Sequence, residues 1–373
     1  KNIMTYRLVN CYPERHMNRQ QNRVLVPFIT IIMISVAMLP LLLGGCSQSK
    51  NVPEEPVSRT EYALGTYVSV RAYAAEADDE LMEEVMDRVM EIEAKMSVSE
   101  DDYETTELLE LNRRAGKEPY TVSPDTYEVL QAAQEYSELT NGAFDFSIAP
   151  LVSLWNIGSE DAAVPEEQAI TAAVAKVDYS MVRFEGSHTV YLEEPGMGVD
   201  VGAIAKGYAA DQAARILVDA GVDHALLDFG GNILTLGKKP DGSDWRIGIQ
   251  HPLEPRNEYL GILEGYDEAV VTSGPYERFF VEEGIRYHHI LDRETGYPVR
   301  NGLISATIVT EVSMRADALS TAAFVLGLEA AKELVLSLED VDAILVTDER
   351  KVWASPGLDE RFELTAEGFE KVE

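Results

Sequence analysis

Cysteine is almost absent. Only Cys11 and Cys46 occur among 373 residues, and both lie near the N-terminus. Disulfide scaffolds, Cys-ligated zinc and thiol catalysis are therefore excluded for everything after Cys46. Positive charge is scarce as well: 31 Lys and Arg stand against 65 Asp and Glu, for a net charge of −34. Such a surface opposes binding to nucleic acid and to anionic lipid headgroups. A phosphate site on this chain must bring its own local positive charge, from a metal ion, a few basic side chains or helix N-termini. Neither a Walker A pattern nor G-x-G-x-x-G is present, so the common nucleotide-binding loops are missing. The chain also has no internal repeat and no low-complexity block.

What is there begins with one long apolar run. Met17-Asn-Arg-Gln-Gln-Asn-Arg23 is a basic segment, 24–43 is apolar, and Leu43-Gly44-Gly45-Cys46-Ser47 sets small residues directly before a cysteine. This is the pattern of a bacterial lipoprotein signal, with Cys46 as the lipidated residue and Met17 as the start. The competing reading is an uncleaved membrane anchor, since the run is long enough to span a bilayer. The expected organisation is an upstream segment and signal at 1–45, a lipidated tether at 46–59 carrying Pro53 and Pro56, and one catalytic domain at 60–373. Residues 1–45 hold five Lys/Arg and one Asp/Glu, so the mature chain would have a net charge near −38. The expected location is the extracytoplasmic side of the cell membrane, held by lipid.

Periodicity predicts a strand pair or long strand over 61–73 and a helix over 78–96, with Leu81, Val85, Val89 and Ile92 at helical spacing. Ser123 as N-cap and Pro124 at the first position predict a helix to about Leu139, ended by Asn141-Gly142. A short helix is expected over 166–177. From Met181 on, short β-rich runs are expected at 181–184, 189–192, 224–237, 245–250, 259–264, 269–273, 278–291 and 303–310, with helices at 203–220 and 314–338. The expected fold class is α+β, with mixed or antiparallel sheets and packed helices in one enzyme unit of two joined subdomains.

Two stretches carry the most chemistry. Asp200-Val-Gly-Ala-Ile-Ala-Lys-Gly-Tyr208 reads as a short strand running into a helix, which would gather N–H groups, a carboxylate and a lysine at one turn. Each residue alone has a plain reading: Asp200 as a helix cap, Lys206 as a solvated helix residue. In Arg315-Ala-Asp-Ala-Leu-Ser-Thr321, Asp317 and Thr321 stand at i and i+4 on one helix face. Oxygen ligands at that spacing suit a hard cation such as Mg²⁺, which leaves room for phosphate oxygens. The helix around them is apolar nearly all round, so the carboxylate is expected to be buried and to need a partner. Asp228-Phe-Gly-Gly-Asn232 is a β-turn or a close approach to a nucleotide. Ser273 and Arg278 are phosphate-binding candidates, or part of a surface turn with a Glu277–Arg278 pair. His288 and His289 adjoin on a predicted strand, so only one can face a given site.

These residues together resemble a known family. Gly65-Thr66, Gly142-Ala-Phe-Asp145, the 200–208 stretch, Asp228-Phe-Gly-Gly-Asn232, Thr272-Ser-Gly274, His289-Ile-Leu-Asp292-Arg-Glu-Thr-Gly296 and Ala316-Asp-Ala-Leu-Ser-Thr321 occur in the order seen in the ApbE family of FAD:protein FMN transferases. The resemblance implies a T-fold-related α+β fold and transfer of FMN from FAD to a Thr or Ser hydroxyl of a target flavoprotein, with release of AMP. It further implies Mg²⁺ held by Asp317, Thr321 and the carbonyl of Ala203. FAD would lie against Leu64, Ala143, Phe144, Asp145, Asp200, Lys206, Ile290 and Ser320, and His289 would be the base at the acceptor hydroxyl. The implied partners are FAD, a flavoprotein subunit of an electron-transfer system and, through the lipid, a membrane; nucleic acid is not expected. Where many relatives carry an aromatic residue after the Met-Ser of the first helix, Met96-Ser97 here is followed by Val98-Ser99, and Tyr103 is the nearest aromatic. Lys206 stands where some relatives have Glu. If His289 is the base, activity is expected to fall on the acid side as it protonates, and a flat profile between about pH 5 and 8 would remove it from the role. Two alternatives remain at this point: an FAD pyrophosphatase giving FMN and AMP to water, and a lipid-anchored flavin-binding protein without catalysis.

Overall fold

The computed structural model describes residues 53–99 and 102–372; Cys46 and the whole 1–45 segment lie outside them. The described residues form one compact unit. It opens with a hairpin of β1 (Val57–Ala63) and β2 (Thr66–Ala72), so folded structure starts a little before the expected boundary at Thr60. The turn between them uses Leu64 and Gly65, both at positive φ, which matches the twist of a two-residue hairpin loop.

Helix α1 (Asp79–Met96) follows, with Asp78 accepting the N–H of Leu81 as its cap, and it buries Leu81, Val85, Val89 and Ile92 as the periodicity requires. A short α2 (Glu107–Arg113), the two-residue β3 (Tyr120–Thr121) and α3 (Pro124–Leu139) come next; α3 starts on Ser123 with Pro124 in its first turn. Then come α4 (Ala149–Trp155), α5 (Glu167–Val174), β4 (Val182–Glu185), β5 (Thr189–Leu192) and α6 (Ala205–Asp219). Six strands follow as β6 (Ala225–Phe229), β7 (Asn232–Leu236), β8 (Trp245–Gln250), β9 (Tyr259–Gly265), β10 (Ala269–Ser273) and β11 (Phe279–Glu282). After β12 (Ile285–His288) and β13 (Leu303–Thr310) come α7 (Ser313–Leu326) and α8 (Leu328–Ser337). The single helix expected over 314–338 is thus two, broken at Gly327 with φ of 79°. Strands β14 (Asp342–Thr347), β15 (Lys351–Ala354), β16 (Phe362–Leu364) and β17 (Glu370–Val372) complete the chain.

Nine strands make the central sheet, in the order β1-β2-β6-β7-β10-β13-β14-β15-β17. Every neighbouring pair is antiparallel except β15 with β17. Because side chains alternate across a sheet, each strand feeds two cores. Val68, Leu227, Leu234, Val271, Ala306, Ile308 and Leu345 face the helices α1, α6 and α7 in one continuous core. Val270, Val309, Ile344, Val346 and Val352 point the other way, onto Trp245, Ile247, Leu263 and Phe362 of the small sheet β16-β9-β8. The fold is therefore α+β as expected, a sheet with helices on one side and a second sheet on the other.

Helices on the site side are tied by charge as well as by burial. Asp125, in the first turn of α3, accepts from both Nη atoms of Arg88 on α1 (2.9 and 2.5 Å), from Lys95 at 2.7 Å and from the Tyr208 hydroxyl of α6 at 2.7 Å. The Arg88 guanidinium holds the Asp125 carboxyl well below the usual carboxylate range.

Candidate functional site

One cleft of about 290 Å³ gathers most of the residues singled out in the sequence. Its wall is built from the β1–β2 turn (Leu64), the loop after α3 (Ala143, Phe144, Asp145), the approach to α6 (Asp200, Ala203, Lys206), the end of β10 (Ser273), the segment after β12 (His289, Ile290) and α7 (Asp317, Thr321).

Helices α6 and α7 cross at the heart of it. A Cβ on Gly207 would lie 2.4 Å from the carbonyl oxygen of Ser313, so only glycine permits this approach. The closeness has a purpose that can be read directly: the Gly207 N–H donates to Asp317 Oδ2 at 3.0 Å. Asp211, one turn further along α6, accepts the N–H groups of Ser313 and Met314 at 2.9 Å each and so caps α7, whose own N-terminus has no side-chain cap. Burial pushes the Asp211 carboxyl up to about 7, against the pull of those two N–H groups.

Asp317 is 3 % exposed, as the apolar surroundings of its helix led one to expect. Its partners in the protein are the Gly207 N–H and the Lys206 ammonium, 3.5 Å from Oδ1. Lys206 also donates to the Gly202 carbonyl at 3.1 Å; it is the second residue of α6 and points back over the helix start. Residues 200–204 differ from the expected strand-to-helix junction. Gly198 makes only an isolated bridge to Ile148, and 202–204 form a turn before α6 begins at Ala205. Within that turn Asp200 Oδ1 accepts the Gly202 N–H at 2.7 Å, and burial pushes its carboxyl up.

On the facing wall, the strand expected through residue 291 ends at His288, and His289 lies in the bend that follows it. His288 is buried with Nε2 on the Val299 carbonyl at 2.9 Å, while His289 lines the cleft. The Nδ1 of His289 lies 3.2 Å from the carbonyl oxygen of Arg278. A carbonyl can only accept, so Nδ1 carries the proton and Nε2 keeps its lone pair. Burial, with the nearby Arg278 guanidinium second, pushes this imidazole down to about 3, so it is neutral at ordinary pH.

Asp145 lines the cleft and pairs with Arg293 at 2.6 Å while accepting from the N–H and hydroxyl of Ser147; burial raises its carboxyl. Ser320 stands behind the wall, fully buried, with Oγ 2.8 Å from Ser273 Oγ and 2.9 Å from the Asp317 carbonyl, so it shapes the lining without forming it. Ser273 is also 3.3 Å from Thr321 Oγ1, and Arg278 lines the cleft. Glu277 pairs with Arg256 at 2.5 Å; no Glu277–Arg278 pair forms. Asp228-Phe-Gly-Gly-Asn232 is the β6–β7 turn, with Asp228 accepting the Gly231 N–H at 2.9 Å, and its Gly230 and Asn232 also reach the cleft. Tyr103 does not line it. Arg293 and Arg256 were missed in the sequence as cleft residues, although Arg293 lies inside the 289–296 motif.

The donor set at α7 fits a hard cation. Asp317 supplies a carboxylate, Thr321 and the adjacent Ser273 supply hydroxyls, and Ala203 lies in the same wall with its carbonyl free of helical duty. Among the described residues no cluster of three or more His, Cys, Asp or Glu could hold a metal alone. Such a sparse set suits Mg²⁺ completed by a ligand's phosphate oxygens rather than a closed protein cage.

Comparison with known proteins agrees with this geometry. The chain matches the profile of the ApbE family over residues 64–345. It is 37% identical over 336 residues to an FAD:protein FMN transferase of Treponema pallidum, covering 86% of this chain and 91% of the relative. It is 34% identical to a protein of the same name from Klebsiella pneumoniae, covering 83% and 95%. Among solved structures it superposes on an ApbE protein from Thermotoga maritima with a TM-score of 0.76 at 31% identity, over 82% of this chain and 99% of that one. The flavin transferase ApbE from Vibrio cholerae gives 0.74 at 30%, over 83% and 100%.

Proposed function

Because the chain belongs to the ApbE family, we propose that it is an FAD:protein FMN transferase that moves FMN from FAD to a threonine or serine hydroxyl of a target flavoprotein. The observation that carries this reading is the meeting of Asp317, Thr321 and Lys206 with His289 in one cleft. That arrangement offers a place for a pyrophosphate and a base for a hydroxyl.

In this reading the acceptor oxygen attacks the phosphorus of the FMN half. The new P–O bond forms as the bond to the AMP phosphate breaks, and AMP leaves as an anion. The hydroxyl proton passes to Nε2 of His289, which its Nδ1 contact to the Arg278 carbonyl keeps in the accepting tautomer. Mg²⁺, held by Asp317, Thr321 and the Ala203 carbonyl, would neutralise phosphate oxygens and the charge developing on the leaving group. Lys206 and Arg278 add fixed positive charge in a chain that is otherwise strongly acidic.

The reading includes a lipid anchor at Cys46 on the extracytoplasmic face and an acceptor in a membrane-associated electron-transfer system; its support is the signal pattern at 17–47. Among the described residues no helix is long and apolar enough to cross a membrane.

The test is incubation with FAD, Mg²⁺ and a threonine-bearing acceptor peptide, followed by intact mass. A gain of one FMN on the peptide with release of AMP, both abolished by chelator, is expected. Free FMN and AMP with no labelled acceptor would indicate the pyrophosphatase, and intact bound FAD would indicate a binder.

A further inference from the structure

A second groove borders the cleft and takes no part in the chemistry just described. On one side it has the loop between β8 and β9, with Leu253, Pro255 and Arg256; on the other it has Glu277, Phe279 and Arg286. Arg256 and Glu277 border both cavities, so their ion pair is the partition between groove and cleft. The β11–β12 hairpin beside it is a two-stranded sheet with no further partner strand among the described residues.

Apolar side chains remain in water here. Leu253 is 51% exposed and Phe279 40%, with Val281, on the same face of the hairpin as Phe279, at 60%, and the Arg286 guanidinium lies 4.2 Å from the centre of the Phe279 ring. An exposed apolar ribbon of two strands is a liability for a free protein and marks a docking surface when it adjoins a site. Charge in the groove is balanced, two Arg against Glu254 and Glu277, which suits a polypeptide better than a phosphate or an anionic headgroup. The hairpin also leads directly to His289: Phe279 pairs with His288, and the His289 backbone N–H donates to the Arg278 carbonyl at 3.2 Å. Base and groove are built from the same few residues.

Resting on the transferase reading, we propose that this groove docks the acceptor. An extended segment of the acceptor protein sets an apolar side chain on Leu253 and Phe279, and its hydroxyl residue crosses the Arg256–Glu277 pair to reach Nε2 of His289. FAD would then fill the cleft while the acceptor arrives from the groove, each with its own route.

The experiment uses the full chain with FAD, Mg²⁺ and a pool of heptapeptides that have a central threonine and randomised flanks. Wild type is compared with Leu253→Asp and Phe279→Ser, reading peptide labelling by mass, FAD binding by flavin fluorescence, and FMN and AMP released to water. Both variants should label the pool at least tenfold more slowly at limiting peptide, with FAD binding and release to water within twofold of wild type. Labelling as fast as wild type would overturn the groove and leave the transferase standing. Loss of FAD binding in both variants would make the groove part of the FAD site and also overturn it. Turnover of FAD by wild type with no peptide labelled would remove the transferase reading, and the groove with it.

Discussion

Asp317 combines almost complete burial with an ionised partner, and this makes its charge the most informative single change. In Asp317→Asn the amide keeps the shape and can still accept from the Gly207 N–H, but the site loses its one anionic ligand and holds a divalent cation far more weakly. Turnover should fall on the order of a hundredfold or more, with FAD still bound, as read by kcat beside an equilibrium flavin titration. His289 makes a second prediction at this scale. The sequence alone predicts an acid limb near neutrality and takes a flat profile between about pH 5 and 8 as excluding His289. Burial that lowers the imidazole to about 3 moves the limb below that window, so a flat profile there no longer excludes it. Its base form is then complete at every pH well above that value. The kcat/KM profile for FAD, which reports the free enzyme, should show no histidine limb between pH 5 and 8. A limb centred near 6.5 would mean that water in the cleft reaches the half-buried His289 ring and restores its ordinary titration. Individual residues were legible where a motif framed them, as with Asp317, Thr321 and Asp200. The Lys206–Asp317 contact spans 111 residues of sequence, and no local pattern could have revealed it.

Among elements, the α6–α7 crossing decides whether Asp317 is in place. Gly207→Ala would drive a Cβ into backbone atoms of Ser313 and Met314, which cannot swing aside as a side chain could. A cost of about 1–3 kcal/mol is expected, together with a loss of activity larger than the stability loss explains; urea unfolding and kcat measured on the same variant check this. Helices α1, α3 and α6 meet at Asp125, where the sign with pH can be worked out. Its folded carboxyl lies below the unfolded value, so its stabilisation is complete above about pH 4 and is lost as pH falls below that. Asp125→Asn should therefore cost about 1–3 kcal/mol at pH 7, less than for a fully buried pair. In denaturant melts the gap to wild type should begin to narrow below about pH 4 yet still be open at pH 3, because the folded carboxyl titrates lower still. Elements with caps and a clear period, such as α1 and α3, were legible to within a residue. Strands β14 to β17 were not read at all: β14 is buried on both faces and loses the alternation that reveals a strand, and β16 and β17 are only three residues each. Helices α7 and α8 were merged because the apolar pattern runs on across Gly327.

At the scale of the molecule, the central sheet separates two cores. Ile344 lies on the side of the small sheet, fully buried, while its neighbours Ala343 and Leu345 face the helices. Ile344→Ala should remove about 2–4 kcal/mol of stability by leaving a cavity, yet keep kcat/KM within twofold at temperatures where the variant is folded. Thermal melts and steady-state rates on one preparation test both halves. The sheet thus works as a bulkhead: chemistry is stowed on one side and ballast on the other. A lineage or an engineer can reinforce the ballast without retuning the chemistry, so heat tolerance and turnover can change on independent schedules as long as the β8–β9 loop beside the groove is left alone.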